Sequence, residues 1–219
     1  MKKAFGNSLI AITIFIVTTD ISSKAAQTDS IEASLRIVVH FMNEVDIYPN
    51  ILGIAGQVVA RNLKKAGVQI IFEDQSKYWE TSQAEDALPR LCHLYVRIIS
   101  QETAKVLGLP VTALGTVPGT RDLTNCYIMH HVLNEHFGIW GDTNRGVILG
   151  YAITHEIGHV LGIMDHSQIG IMKAKWDNND IFALITGRMT FSSREAALIR
   201  AEVARRSQKV GMVESSDQR

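Results

Sequence analysis

Thr154 to Ser167 reads THEIGHVLGIMDHS. His155 and His159 stand four apart, so on an α-helix their imidazoles leave the same face about one turn apart and can share one tetrahedral cation. Glu156, beside the first histidine, can reach a water on that cation and take its proton. The helix itself is legible upstream: Ile148, Leu149, Ala152, Ile153 and Val160 form an apolar stripe across residues 146–161. On so apolar a helix, two imidazoles and a carboxyl are polar groups that need a partner. Gly162 stops the helix and permits a turn. Asp165 and His166 follow where a returning chain can supply a third ligand.

The stretch carries the HExxH spacing of zinc peptidases, and HEIGHVLGIMDHS resembles the metzincin metallopeptidases, whose helix reads HExxHxxGxxH. It is especially similar to the matrixins, in which HExGHxLGLxHS is typical. Gly170-Ile171-Met172 resembles the methionine turn that metzincins place beneath the metal. The resemblance is specific from Tyr151 to Met172 and no further. It implies a single metzincin-like domain of α+β (α/β/α-like) class: a small twisted, mostly parallel β-sheet with an antiparallel edge strand, an active-site helix and a C-terminal helix. It implies zinc as cofactor, Glu156 as catalytic base, His155 and His159 as ligands, and Met172 as an apolar floor that does no chemistry. Ten residues after His155, where the metzincin count expects a histidine, stands Asp165, which some bacterial metzincins use. The matrixin-like Asp-His-Ser instead makes His166 the ligand, with Met164 accommodated as a bulge. We take His166 as the third metal ligand and Asp165 as the alternative, with the other free to orient a ligand imidazole. A glutamate of the last helix, Glu195 or Glu202, is the thermolysin-like option. After Met172 comes Lys173-Ala174-Lys175-Trp176, where matrixins usually place an aromatic residue and Pro.

The remainder of the chain bounds what surrounds this site. Its 219 residues are 46% hydrophobic and 20% charged, which suits one globular domain with a full core. Twenty-two basic residues against twenty-two acidic ones leave no electrostatic footprint for nucleic acid. Lys2 and Lys3, an apolar run from Leu9 to Val17 and small residues around Ala25 have the order of a secretory signal peptide over residues 1–25. The run is shorter than the roughly 20 residues that span a bilayer, so cleavage without stable membrane insertion is expected. Residues 26–219 then form the mature, monomeric domain, secreted to the periplasm or the extracellular space. In that oxidising setting Cys92 and Cys126 either pair or stay buried as thiols. A peptide or protein substrate is the expected partner. The competing expectation is an exported, non-catalytic zinc- or peptide-binding protein on a peptidase-like scaffold.

Along the chain, residues 35–45 read as a strand, 50–66 as a helix and 68–73 as a strand, an order that predicts parallel pairing with the helix on one face. Residues 74–89 read as a surface loop, 94–100 as a third strand and 101–120 as irregular. Residues 126–133 read as a fourth strand, with His130 and His131 on opposite faces. By the resemblance this strand would be the edge along which an extended peptide lies. Residues 138–145 read as a loop, Asp177 and Asp180 as an acidic cluster that is as readily a solvated loop as one of the calcium sites the resemblance would allow, and Ser192 or Ser193 opens a last helix through Lys209, with residues 214–219 frayed.

Overall fold

Parallel strands need a crossover, and the alternation of β-branched runs with one helical pattern supplies it. The computed structural model describes residues 35–73, 92–119 and 124–216, with side chains through residue 208. The expected signal segment, the lead-in to the first strand and the loop at 74–89 lie outside the described residues. In chain order the elements are β1 (Arg36–Asn43), α1 (Pro49–Lys65), β2 (Gln69–Glu73), β3 (Cys92–Ile99), α2 (Gln101–Val106), β4 (Gly115–Thr116), β5 (Asn125–Met129), α3 (His130–Phe137), α4 (Asp142–Val160), α5 (Asn178–Ile185) and α6 (Ser193–Ser216). The sheet order is β2-β1-β3-β5-β4. All pairings are parallel except β4 with β5, which is antiparallel, as expected for a mostly parallel sheet with an antiparallel edge.

Period-2 burial on β3 and the core positions Ile37 and Val39 of β1 show one sheet face pressed against helices α1 and α4. The two helices approach closely because α4 carries Gly146 and Gly150 four apart on one face. A Cβ on Gly150 would stand 2.6 Å from Val58 Cβ and 2.7 Å from Ala55 O. Alanine is the better helix former by about 1 kcal/mol, yet forced overpacking costs about 1–3 kcal/mol. Gly150→Ala is therefore expected to lower the urea midpoint; an unchanged or raised midpoint would show that the α1–α4 contact is loose.

Helix α6 docks through arginines on carbonyls at helix ends that have no partner within their own helix. Arg200 Nη1 donates to Ala66 O at 2.9 Å, just past α1, and Arg206 Nη2 donates to Val160 O at 2.6 Å, the last residue of α4. A helix C-terminus favours a cation, so these contacts serve both hydrogen bonding and the helix dipole. Glu202 orients the second arginine, accepting from Arg206 Nε at 2.7 Å and from Arg205 Nε at 2.7 Å. Those guanidinium bonds, Arg205 first, hold the Glu202 carboxyl down to about 2. Its folded value lies below the ordinary one, so the stabilisation is present above about pH 4.5 and is lost as pH falls towards 2. Screened by solvent, this amounts to about 1 kcal/mol. Glu202→Gln should be less stable at neutral pH and should show a shallower loss than the parent below pH 4.5 in an acid titration followed by circular dichroism.

Several local readings are corrected. Residues 101–106 are helical, because Ser100 caps them by accepting from Thr103 N at 3.1 Å. The strand at 126–133 ends at Met129, and His130 and His131 open a helix instead. That strand, β5, lies between β3 and β4, so the sheet edge on this side is the two-residue β4. Asp142 begins α4, four residues earlier than the apolar stripe indicates. Asp177, exposed, and Asp180 form the capping box of α5 and both bind Lys173. The last helix continues to Ser216, beyond the expected end at Lys209. Cys92 and Cys126 are buried free thiols. The β3–β5 register sets Cys126 opposite Val96, four residues or about 13 Å along β3 from Cys92. Among the described residues, no helix is long and apolar enough to cross a membrane.

Candidate metal centre

Helix α4 delivers the two histidines from one face, as 3.6 residues per turn requires. His155 Nδ1 lies 2.7 Å from Ile171 O and His159 Nδ1 lies 2.6 Å from Ile163 O. A carbonyl only accepts, so both Nδ1 atoms carry the proton and both Nε2 atoms present a lone pair. Those two Nε2 atoms face each other at 3.1 Å. Two lone pairs at that distance repel unless a cation stands beside them. Protonating one of them is disfavoured, because burial pushes His155 down to about 4. A metal ion satisfies both: tetrahedral bonds of about 2.0–2.1 Å place ligand nitrogens about 3.3 Å apart.

The third imidazole is His166. Its ring stacks on His155 at 5.3 Å between centroids and meets His159 edge-on at 4.9 Å. One nitrogen from each of His155, His159 and His166 lies within 4.8 Å of the others, and this is the one such group among the described residues that could hold a metal ion. Asp165 is exposed and stands outside it. Gly162 makes the turn that allows this: its φ of 94° is strained for any side chain, and it reverses the chain directly after α4. Glu195 caps α6 by accepting from Ser192 N at 2.7 Å, and Glu202 is engaged by arginines, so neither joins the histidines.

Met172 is fully buried beneath α4. A Cβ on Gly158 would stand 2.7 Å from its Sδ, so the helix passes directly over the sulfur because residue 158 has no side chain. The turn is closed by Ser167 N donating to Met172 O at 2.9 Å, and its preceding carbonyl, Ile171 O, is the acceptor for His155. Sequence reasoning missed these orienting carbonyls, which carry no residue signature.

Glu156 is 6% exposed, and desolvation pushes its carboxyl up to about 8 in the metal-free protein. A divalent cation beside it would favour the ionised form and draw that value down. Its side chain lies against the edge strand β4: a Cβ on Gly115 would meet Glu156 Oε1 at 2.5 Å and Cγ at 2.6 Å. Gly115→Ala is therefore expected to displace the carboxylate and reduce any activity that depends on it by about tenfold or more, with bound metal unchanged. Full activity in that variant would show that Glu156 has room elsewhere.

The histidines and Glu156 open into one cleft of about 1060 Å³. Residues of β4 and its flanks line it, as does Trp176, whose ring meets His155 edge-on at 6.0 Å. His136 also lines the cleft, a position with no spacing signal in the sequence. His40, buried, pairs with His93 at 2.9 Å and stacks on Tyr95, away from this site.

No protein-family model matches the chain, and no curated protein matches it either. Among solved structures it is similar to the archaemetzincin of Methanopyrus kandleri, at 12% identity over 78% of this chain and 97% of that one, with a TM-score of 0.46. It is also similar to metalloproteinase-II of Bacteroides fragilis, at 12% identity over 76% of this chain and a TM-score of 0.42. The chain spans 53% of the length of that second protein.

Proposed function

We propose that this protein is an exported, monomeric, zinc-dependent endopeptidase of metzincin type, acting on peptides or proteins. The observation that carries the reading is the pair of Nε2 lone pairs held face to face at 3.1 Å by two backbone carbonyls, with a third imidazole completing the set. A set of neutral imidazoles with an adjacent carboxylate suits zinc better than calcium or magnesium, which prefer oxygen. His155, His159 and His166 would hold the ion. When bound, zinc supplies a Lewis acid that makes water acidic near neutral pH and stabilises negative charge developing on a carbonyl oxygen.

The remaining work falls to the chain's own groups. Glu156 takes a proton from the attacking water as its oxygen bonds to the peptide carbonyl carbon, then gives that proton to the amine as the C–N bond breaks. Its burial keeps competing solvent from the carboxyl. The Ile171 and Ile163 carbonyls keep the imidazoles in one tautomer and one orientation. Export rests on the charge and hydropathy order of the first 25 residues.

A digest of a broad peptide library by the purified, zinc-loaded protein tests this reading, with new termini identified by mass spectrometry. Cleavage that a chelator abolishes and zinc restores is expected. Zinc binding with every peptide left intact would leave a binding protein on this scaffold instead.

A further inference from the structure

The wall of the cleft that follows Met172 carries an unusual charge pattern. Lys173 is neutralised, because Asp177 Oδ2 lies 2.9 Å from its ammonium and Asp180 also binds it. Those carboxylates are themselves held by the capping box of α5, so the arrangement is fixed by the fold. Two residues on, Lys175 lines the same cleft, is exposed, and has no ion pair among the described residues. It directly precedes Trp176, the residue that touches His155, so its backbone is anchored beside the metal centre. Among the described residues lining the cleft, the sole carboxylate is Glu156, which the proposed chemistry already uses. No other described lining residue offers a carboxylate to a basic substrate side chain, whereas an acidic group meets the Lys175 ammonium.

We propose that Lys175 is a specificity-determining residue that selects substrates presenting a carboxylate near the scissile bond. This rests on the peptidase reading above. The carboxylate can come from an acidic side chain or from the substrate's own C-terminus, since both offer the same acceptor to an ammonium. The cleft is open to solvent at this point, so the pair is screened and its contribution is that of a good surface ion pair, about fivefold in affinity. Salt should weaken it, because the Debye length shrinks to about 3 Å at 1 M.

The test uses two matched peptide pairs built on one cleaved sequence: internal Glu against Gln with amidated C-termini, and free against amidated C-terminus with Gln inside. For each, kcat/KM is measured with the zinc-loaded protein, and Kd is measured by fluorescence anisotropy with zinc-loaded Glu156→Gln, which reads recognition without turnover. A preference of about fivefold for the acid member in at least one pair is expected, falling towards one in Lys175→Gln and inverting in favour of the neutral member in Lys175→Glu. The pair that responds identifies the source of the carboxylate. A preference that survives Lys175→Gln, or no preference in either pair by either readout, overturns the assignment. If no peptide is cleaved, the peptidase reading fails, while the anisotropy ratios still decide whether Lys175 recognises a carboxylate.

Discussion

Replacing Glu156 by Gln is expected to lower peptide hydrolysis by about two to four orders of magnitude, the range of a positioned general base, with bound zinc unchanged. Gln keeps the shape of the side chain and removes its ability to take a proton. Because Glu156 lines the cleft beside the histidines and is not one of the converging nitrogen donors, the metal set stays intact. Unfolding is not a confounding cause. Burial raises the Glu156 carboxyl from its ordinary 4.5 to about 8, so between those values the native state retains a proton that the unfolded chain releases. Stability of the metal-free parent therefore falls with rising pH across that window. A neutral amide has no such loss, so metal-free Glu156→Gln should melt no lower than the parent at pH 7 and higher at pH 8. Undiminished hydrolysis by the variant would remove Glu156 from the chemistry.

Bound zinc per chain should fall from about one to near zero in His155→Ala, His159→Ala and His166→Ala, and should stay near one in Asp165→Ala. Each imidazole supplies one of the three nitrogens within 4.8 Å of one another, whereas Asp165 is exposed outside the group. Outer partners of a ligand typically change metal affinity by 10- to 100-fold, so losing a ligand itself should exceed about 100-fold. The same series can be read thermally. Zinc at a hundred times its Kd stabilises by about 2.7 kcal/mol, which raises the melting temperature of a domain this size by roughly 5–10 °C. That rise should vanish in the three histidine variants and persist in Asp165→Ala. Release of zinc by Asp165→Ala with retention in His166→Ala would reverse the assignment of the third ligand.

Elements whose signals are local were legible in the residues alone. The i, i+4 spacing of His155 and His159, the apolar stripe around them and the glycine that ends the helix all lie within a few turns of one helix. The β-α-β order at the start of the described chain was equally legible, since alternation and helical periodicity are properties of short windows and the crossover rule does the rest. Elements too short to show a repeat were not legible: β4 has two residues and is a strand because β5 pairs with it. Likewise β5 ends at Met129 although apolar residues recur at Val132 and Leu133, because those two bury as well from a helix as from a strand. That His166 rather than Asp165 approaches the two histidines follows from packing, not from local pattern. Both lie on a turn whose geometry depends on the buried Met172, on Gly158 leaving room for its sulfur, and on carbonyls of Ile163 and Ile171 that look the same in any sequence. A turn held by distant packing and by backbone groups has no pattern in the residues that make it.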